Sequence, residues 1–83
     1  MEKITELLIK NKIFDLQVKY RLYDISYKIV NHKNIIYLQL YNSRIKVMRP
    51  INLKHINGSI ENTFECFVFY IERIRKGDLI ENI

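Results

Sequence analysis

From Ile13 to Val47 apolar and polar residues take turns, and this period of two narrows the possible folds more than any other feature of the chain. Phe14, Leu16, Val18, Tyr20 and Leu22 alternate with Asp15, Gln17, Lys19 and Arg21, as in a strand buried on one side. Ile25, Tyr27 and Ile29 continue the pattern to the turn residues Asn31-His32-Lys33-Asn34. Ile36, Leu38 and Leu40 carry it to Asn42-Ser43, and Ile45 and Val47 to Arg49-Pro50. A two-residue turn at Tyr23-Asp24 sets Leu22 opposite Ile25 and Val18 opposite Ile29. A four-residue turn at 31–34 sets Ile29 opposite Ile36 and Tyr27 opposite Leu38, and the turn at Asn42-Ser43 sets Leu40 opposite Ile45 and Leu38 opposite Val47. Every apolar residue in these pairs then falls on one face. A slip of one residue would invert a whole strand, so the pattern predicts a four-stranded antiparallel meander.

Helical signals flank the meander. Ile4, Leu7 and Leu8 share one face of a short first helix, with Glu2 near its start, Lys10 near its end and Asn11 as a left-handed stop. After an irregular stretch at 51–59, Asn57-Gly58 reads as a turn and Ser59 as the N-cap of a second helix. Ile60, Phe64, Phe67, Val68, Ile71 and Ile74 form its apolar stripe, Gly77 ends it, and residues 78–83 add up to one further turn. The expectation is a single α+β domain over residues 1–83: helix, four-stranded antiparallel meander, helix, with both helices packed on one face of the sheet.

Charge is unevenly placed. Residues 1–57 hold eleven Lys and Arg against four acids, giving +7, and residues 58–83 hold three against five, giving −2. Between Asp24 and Glu61 there is no acid, only Lys28, Lys33, Arg44, Lys46, Arg49 and Lys54 among ionised side chains. Such a body suits contact with nucleic acid or an acidic protein. On the expected register the open face carries Lys19, Lys28, Tyr37 and Met48 in one row, Arg21, Ser26, Gln39 and Lys46 in the next, then Tyr41 and Arg44. Tyrosine rings stack on bases while cations follow the phosphates, so Lys19, Arg21, Lys28, Tyr37, Tyr41, Arg44 and Lys46 are the candidate partner- or nucleic-acid-binding residues. The bland alternative is a solvated sheet surface on which lysines prevent edge aggregation. Phe69 lies about 140° from Phe64 on the helical wheel and is a candidate secondary contact, to a partner or a second copy.

Nothing in the chain points to catalysis. His32 and His55 sit in expected loops and match no ligand spacing, so no metal site is expected. Cys66, about 200° from Phe64, reads as a free thiol on a helix surface with no histidine beside it in sequence. Gly58 and Gly77 are the only glycines, so there is no phosphate-cradling loop, and no cofactor is expected. The lone cysteine, the charged stretch from Met1 to Lys10 and the absence of a long apolar run lead us to expect a cytoplasmic protein with no membrane contact.

The element order resembles that of the double-stranded RNA-binding domain. However, Ser59-Ile60-Glu61-Asn62-Thr63 stand where that family opens its last helix with lysines. The order also resembles that of small phage-encoded anti-CRISPR inhibitors, in which a short helix passes through a Lys-Asn segment, here Lys10-Asn11-Lys12, into a meander and a C-terminal helix. This second resemblance covers most of the chain at the level of topology. It implies a non-catalytic inhibitor or accessory protein acting in the host cytoplasm on a host protein or nucleoprotein. Those inhibitors are acidic mimics of DNA, and the +7 body of this chain departs from that mode. Two functional expectations result: an inhibitor that docks its basic, tyrosine-containing face on a host nucleoprotein, or a module that binds RNA or DNA directly with the same face.

Overall fold

The computed structural model describes residues 3–75. Their order is α1 (Lys3–Tyr20), β1 (Ser26–His32), β2 (Ile35–Tyr41), β3 (Lys46–Pro50), a 3₁₀ turn (Leu53–His55) and α2 (Ile56–Arg75). The class is α+β, with two helices packing on a three-stranded antiparallel sheet of order β1-β2-β3. The strand expected between Ile13 and Leu22 is helix as far as Tyr20, so the meander has three strands and not four.

The physical reason lies in a coincidence of periods. Ile9, Ile13 and Leu16 are buried and Tyr20 packs against the same core, a spacing of i, i+4, i+7 and i+11 that follows one face of a helix. Leu16 and Tyr20 satisfy the period of two and the helical period alike. Tertiary contact with α2 decides between them: the Tyr20 ring stacks on Phe64 with centroids 5.5 Å apart, and Lys12 pairs with Glu61. Phe14 and Val18, core residues in a strand reading, are left 61% and 49% exposed. Asn11 is mid-helix and stops nothing. The helix ends where Arg21 takes φ of 53°. There the Arg21 N–H donates to the Val18 carbonyl at 3.3 Å and the Leu22 N–H to the Gln17 carbonyl at 3.0 Å, which satisfies two of the last carbonyls of the helix.

In the sheet, both turn residues Lys33 and Asn34 have positive φ, 51° and 65°, the two-residue reversal whose twist matches that of paired strands. The loop from β2 to β3 is longer, spanning residues 42–45. Asn42 organises it: its Oδ1 accepts from the N–H groups of Arg44 and Ile45, each at 2.8 Å, and its own N–H donates to the Ile45 carbonyl at 2.9 Å. Ile29 therefore pairs with Leu38, Tyr27 with Leu40, Leu40 with Val47 and Leu38 with Arg49. Each pairing is displaced by two residues from the sequence expectation. An even displacement changes cross-strand partners and keeps every side chain on its expected face.

The inward face of the sheet supplies Leu38, Leu40 and Val47 to a core that also holds Ile51, Ile60, Phe64 and Phe67. α2 starts at Ile56, so the Asn57-Gly58 turn and the Ser59 cap are both replaced by helix. Ser59 instead accepts from the Asn52 N–H at 3.0 Å, and Asn52 Oδ1 accepts from the Lys54 N–H at 3.0 Å, tying the 3₁₀ turn to the helix. The buried Thr63 hydroxyl donates to the Ser59 carbonyl at 2.8 Å, which spares it an unpaired polar group in the core. Cys66 is partly buried against the core and is not a surface thiol. The reason is that α2 has neighbours on two sides, the sheet and α1, which widens its buried sector. The expected stop at Gly77 and the turn over 78–83 lie outside the described residues.

Backbone geometry makes two positions improvable. Arg21 occupies a left-handed position that suits glycine, and a Cβ added at the helical Gly58 would meet nothing within 4 Å. Arg21→Gly and Gly58→Ala should therefore each stabilise the fold by about 0.5–1 kcal/mol. In thermal melts each would raise Tm by a few degrees. A fall in Tm would contradict a left-handed Arg21 in the first case and an uncrowded helical Gly58 in the second.

A further prediction concerns Glu61, whose carboxyl is held below the usual carboxylate range by the hydrogen bond from Lys12, then by the Lys12 charge, with a smaller contribution from Lys19. Its contribution to stability is present above the ordinary carboxylate range and lost as pH falls through the lowered value. Glu61→Gln should lower stability slightly at neutral pH and leave it unchanged in strong acid, with the difference shrinking as salt is added. A difference that persisted in acid would rule out the ion pair as its source.

Candidate functional site

Strand alternation sets the outward face of the sheet. Ser26, Lys28, Val30 and His32 on β1, Ile35, Tyr37, Gln39 and Tyr41 on β2, and Lys46, Met48 and Pro50 on β3 are opposite in parity to the buried Leu38, Leu40 and Val47. The pairing arranges them in rows: Val30, Tyr37 and Pro50; Lys28, Gln39 and Met48; Ser26, Tyr41 and Lys46. Tyr37, Gln39 and Tyr41 form a ridge along the middle strand, half-buried by their neighbours, and Lys28 and Lys46 stand exposed on the strands to either side. The two tyrosines are four residues apart on one strand, about 13 Å at the usual rise per residue. No carboxylate occurs from Ile25 to Ile60, so no acid of the sheet offsets these two cations.

Four of the seven candidate residues, Lys28, Tyr37, Tyr41 and Lys46, thus share this face. The other three do not. Lys19 lies on α1 with its ammonium 5.5 Å from the centroid of the Tyr20 ring, near Glu61. Arg21 is the left-handed residue that ends α1. Both belong to the sheet only if the segment before Leu22 is a strand, and it is helix. Lys19 and Lys28, neighbours in the expected row, do not meet, because β1 is an edge strand of the sheet, and Lys28 stands opposite Gln39 in place of Tyr37. Arg44 sits in the β2–β3 loop and lines an open cleft of about 320 Å³ with Asp24, Ser43, Leu22, Ile71 and Arg75.

Charge alone does not describe this face. Met48 and Ile35 are 50% and 47% exposed on it, and Val30 and Pro50 join them at one end. Their alternation with the core residues is visible in the sequence. The surface is therefore mixed, with tyrosines along the middle strand and one lysine among apolar residues on each strand beside it.

Phe69, the secondary candidate, is 50% exposed on α2. The Arg73 guanidinium lies 5.3 Å from its ring centroid and the Tyr70 ring meets it edge-on at 5.6 Å. This cation–aromatic group sits on a helix and is not part of the sheet face. Among the described residues no three His, Cys, Asp or Glu side chains gather as a metal site, and no helix is long and apolar enough to cross a membrane. Compared with protein-family models, with curated proteins and with solved structures, the chain matches none.

Proposed function

We propose that this is a small non-catalytic binding protein whose open sheet face engages single-stranded or locally unpaired nucleic acid, free or carried by a nucleoprotein. The observation that supports this reading most is the row structure of the sheet. Tyr37 and Tyr41 lie along the middle strand with Lys28 and Lys46 at its two sides, on strands without a carboxylate. The outward parts of these half-buried rings offer stacking surfaces to bases, each worth about 1–3 kcal/mol, and flanking cations neutralise phosphates. The resemblance to anti-CRISPR inhibitors extends this reading: the nucleic acid is then the exposed guide or target strand of a host effector complex, and docking on it blocks the effector in the cytoplasm. No cofactor enters either version.

The test is binding of labelled single-stranded RNA and DNA, measured by anisotropy at stepped salt concentrations. Affinity should fall with salt on a logarithmic plot with a slope of about −0.7 per phosphate contacted. The double variant Lys28→Glu/Lys46→Glu should weaken binding by more than about tenfold and reduce that slope by about 1–2. Tyr41→Ala should cost about 1–3 kcal/mol and leave the slope unchanged. No binding at low salt would defeat the direct nucleic-acid reading. Loss of a stoichiometric host complex in the lysine double variant, with nuclease present, would then favour a protein surface as the target.

A further inference from the structure

A different surface carries an inference independent of the sheet. The face of α1 turned away from the core is apolar: Ile4, Leu7, Leu8, Phe14 and Val18 are 71%, 56%, 50%, 61% and 49% exposed. The helix thus has two apolar sides. Ile9, Ile13, Leu16 and Tyr20 take the side packed in the core, and the exposed set lies about 180° away on the wheel. The exposed residues keep the spacing of a coiled-coil seam, with Ile4, Asn11 and Val18 at the first position of successive heptads and Leu7 and Phe14 at the fourth.

We infer that α1 pairs with α1 of a second copy in a parallel, in-register two-helix seam, making the protein a homodimer. Three features of the sequence on this face select that occupant. β-Branched Ile4 and Val18 at the first heptad position, with Leu7 at the fourth, favour two parallel strands. Asn11 is a single polar residue in the middle of the seam and can pair only with its own copy when the register is exact to the residue, the use such asparagines have in two-stranded coils. In the parallel register the flanking Lys10 of each copy meets Asp15 of the other, giving two opposite-charge pairs. An antiparallel pairing centred on Asn11 sets Lys10 against Lys10 and loses this complementarity. A membrane surface is the other occupant that five apolar side chains flanked by lysines would suit. It offers nothing to Asn11 or Asp15, which lie in and beside the stripe. Because the seam faces away from each core, the two bodies sit on the outer sides of the helix pair.

The test is sedimentation equilibrium of the full chain over a wide concentration range, with vesicle flotation alongside. Wild type should show a monomer–dimer equilibrium. Leu7→Glu/Phe14→Glu replaces residues exposed in the protomer, so circular dichroism should remain native while self-association weakens by more than about a hundredfold. Lys10→Asp should weaken association about tenfold, and Lys10→Asp/Asp15→Lys should restore it, because the swap recreates both pairs only in the parallel register. A wild-type protein that stays monomeric throughout overturns the inference, as does a dimer indifferent to Leu7→Glu/Phe14→Glu. Failure of the charge swap to rescue overturns the parallel arrangement, and flotation with phosphatidylglycerol vesicles without self-association assigns the face to a membrane instead.

Discussion

The structure depends on α2 being packed from two directions. Phe64 and Phe67 are fully buried, yet they lie on a helix that meets β2 and β3 on one side and α1 on the other. A chain of 83 residues is near the lower limit for a self-sufficient core. A three-stranded sheet with one helix would leave much of Phe64 in water. Ile9, Ile13, Leu16 and the Tyr20 ring close that side. The stretch from Ile13 to Tyr20 is therefore recruited as helix by what it covers, and its own pattern does not require it.

This dependence separates the parts of the fold that are readable in the sequence from those that are not. The hairpins from Ser26 to Pro50 are local structures, and alternation within each strand assigns its faces without reference to the rest of the chain. Turn lengths are less legible. Lys33-Asn34 adopts a reversal usually built from Asn-Gly, and nothing in its residue types announces two residues of positive φ. Asn42 closes a four-residue loop through its side chain, where a two-residue reversal is equally compatible with Asn-Ser. Both differences displace each pairing by an even number, so the faces survive and only the neighbours change. From Ile13 to Leu22, by contrast, period two and period 3.6 coincide at Leu16 and Tyr20, and the deciding partner, Phe64, is more than forty residues away. No local rule reaches that far.

The candidate site inherits the same division. Lys28, Tyr37, Tyr41 and Lys46 are legible because face assignment needs parity alone. Lys19 and Arg21 are lost because their placement rests on element type. Losing them sharpens the surface: the cations that remain flank the tyrosine ridge, and the like-charge crowding expected at Lys19 and Lys28 does not arise. Arg44, in a cleft with Asp24, contributes to a different corner of the molecule.

The two surfaces differ in what they ask of a partner. The sheet face has cations without acids and rings held in place by neighbouring strands, so a partner must bring negative charge and flat apolar groups. The exposed side of α1 brings both signs of charge, Lys10 and Asp15, around an apolar seam with one amide inside it. A surface that contains its own complement is satisfied by a copy of itself, because a two-fold axis presents each Lys10 to an Asp15 and each Asn11 to an Asn11. The strand-like alternation from Phe14 to Val18 then has a physical origin. In a helix with apolar residues on two opposite sides, Leu16 and Tyr20 serve the core while Phe14 and Val18 lie on the exposed stripe, and the sum of the two stripes imitates a period of two.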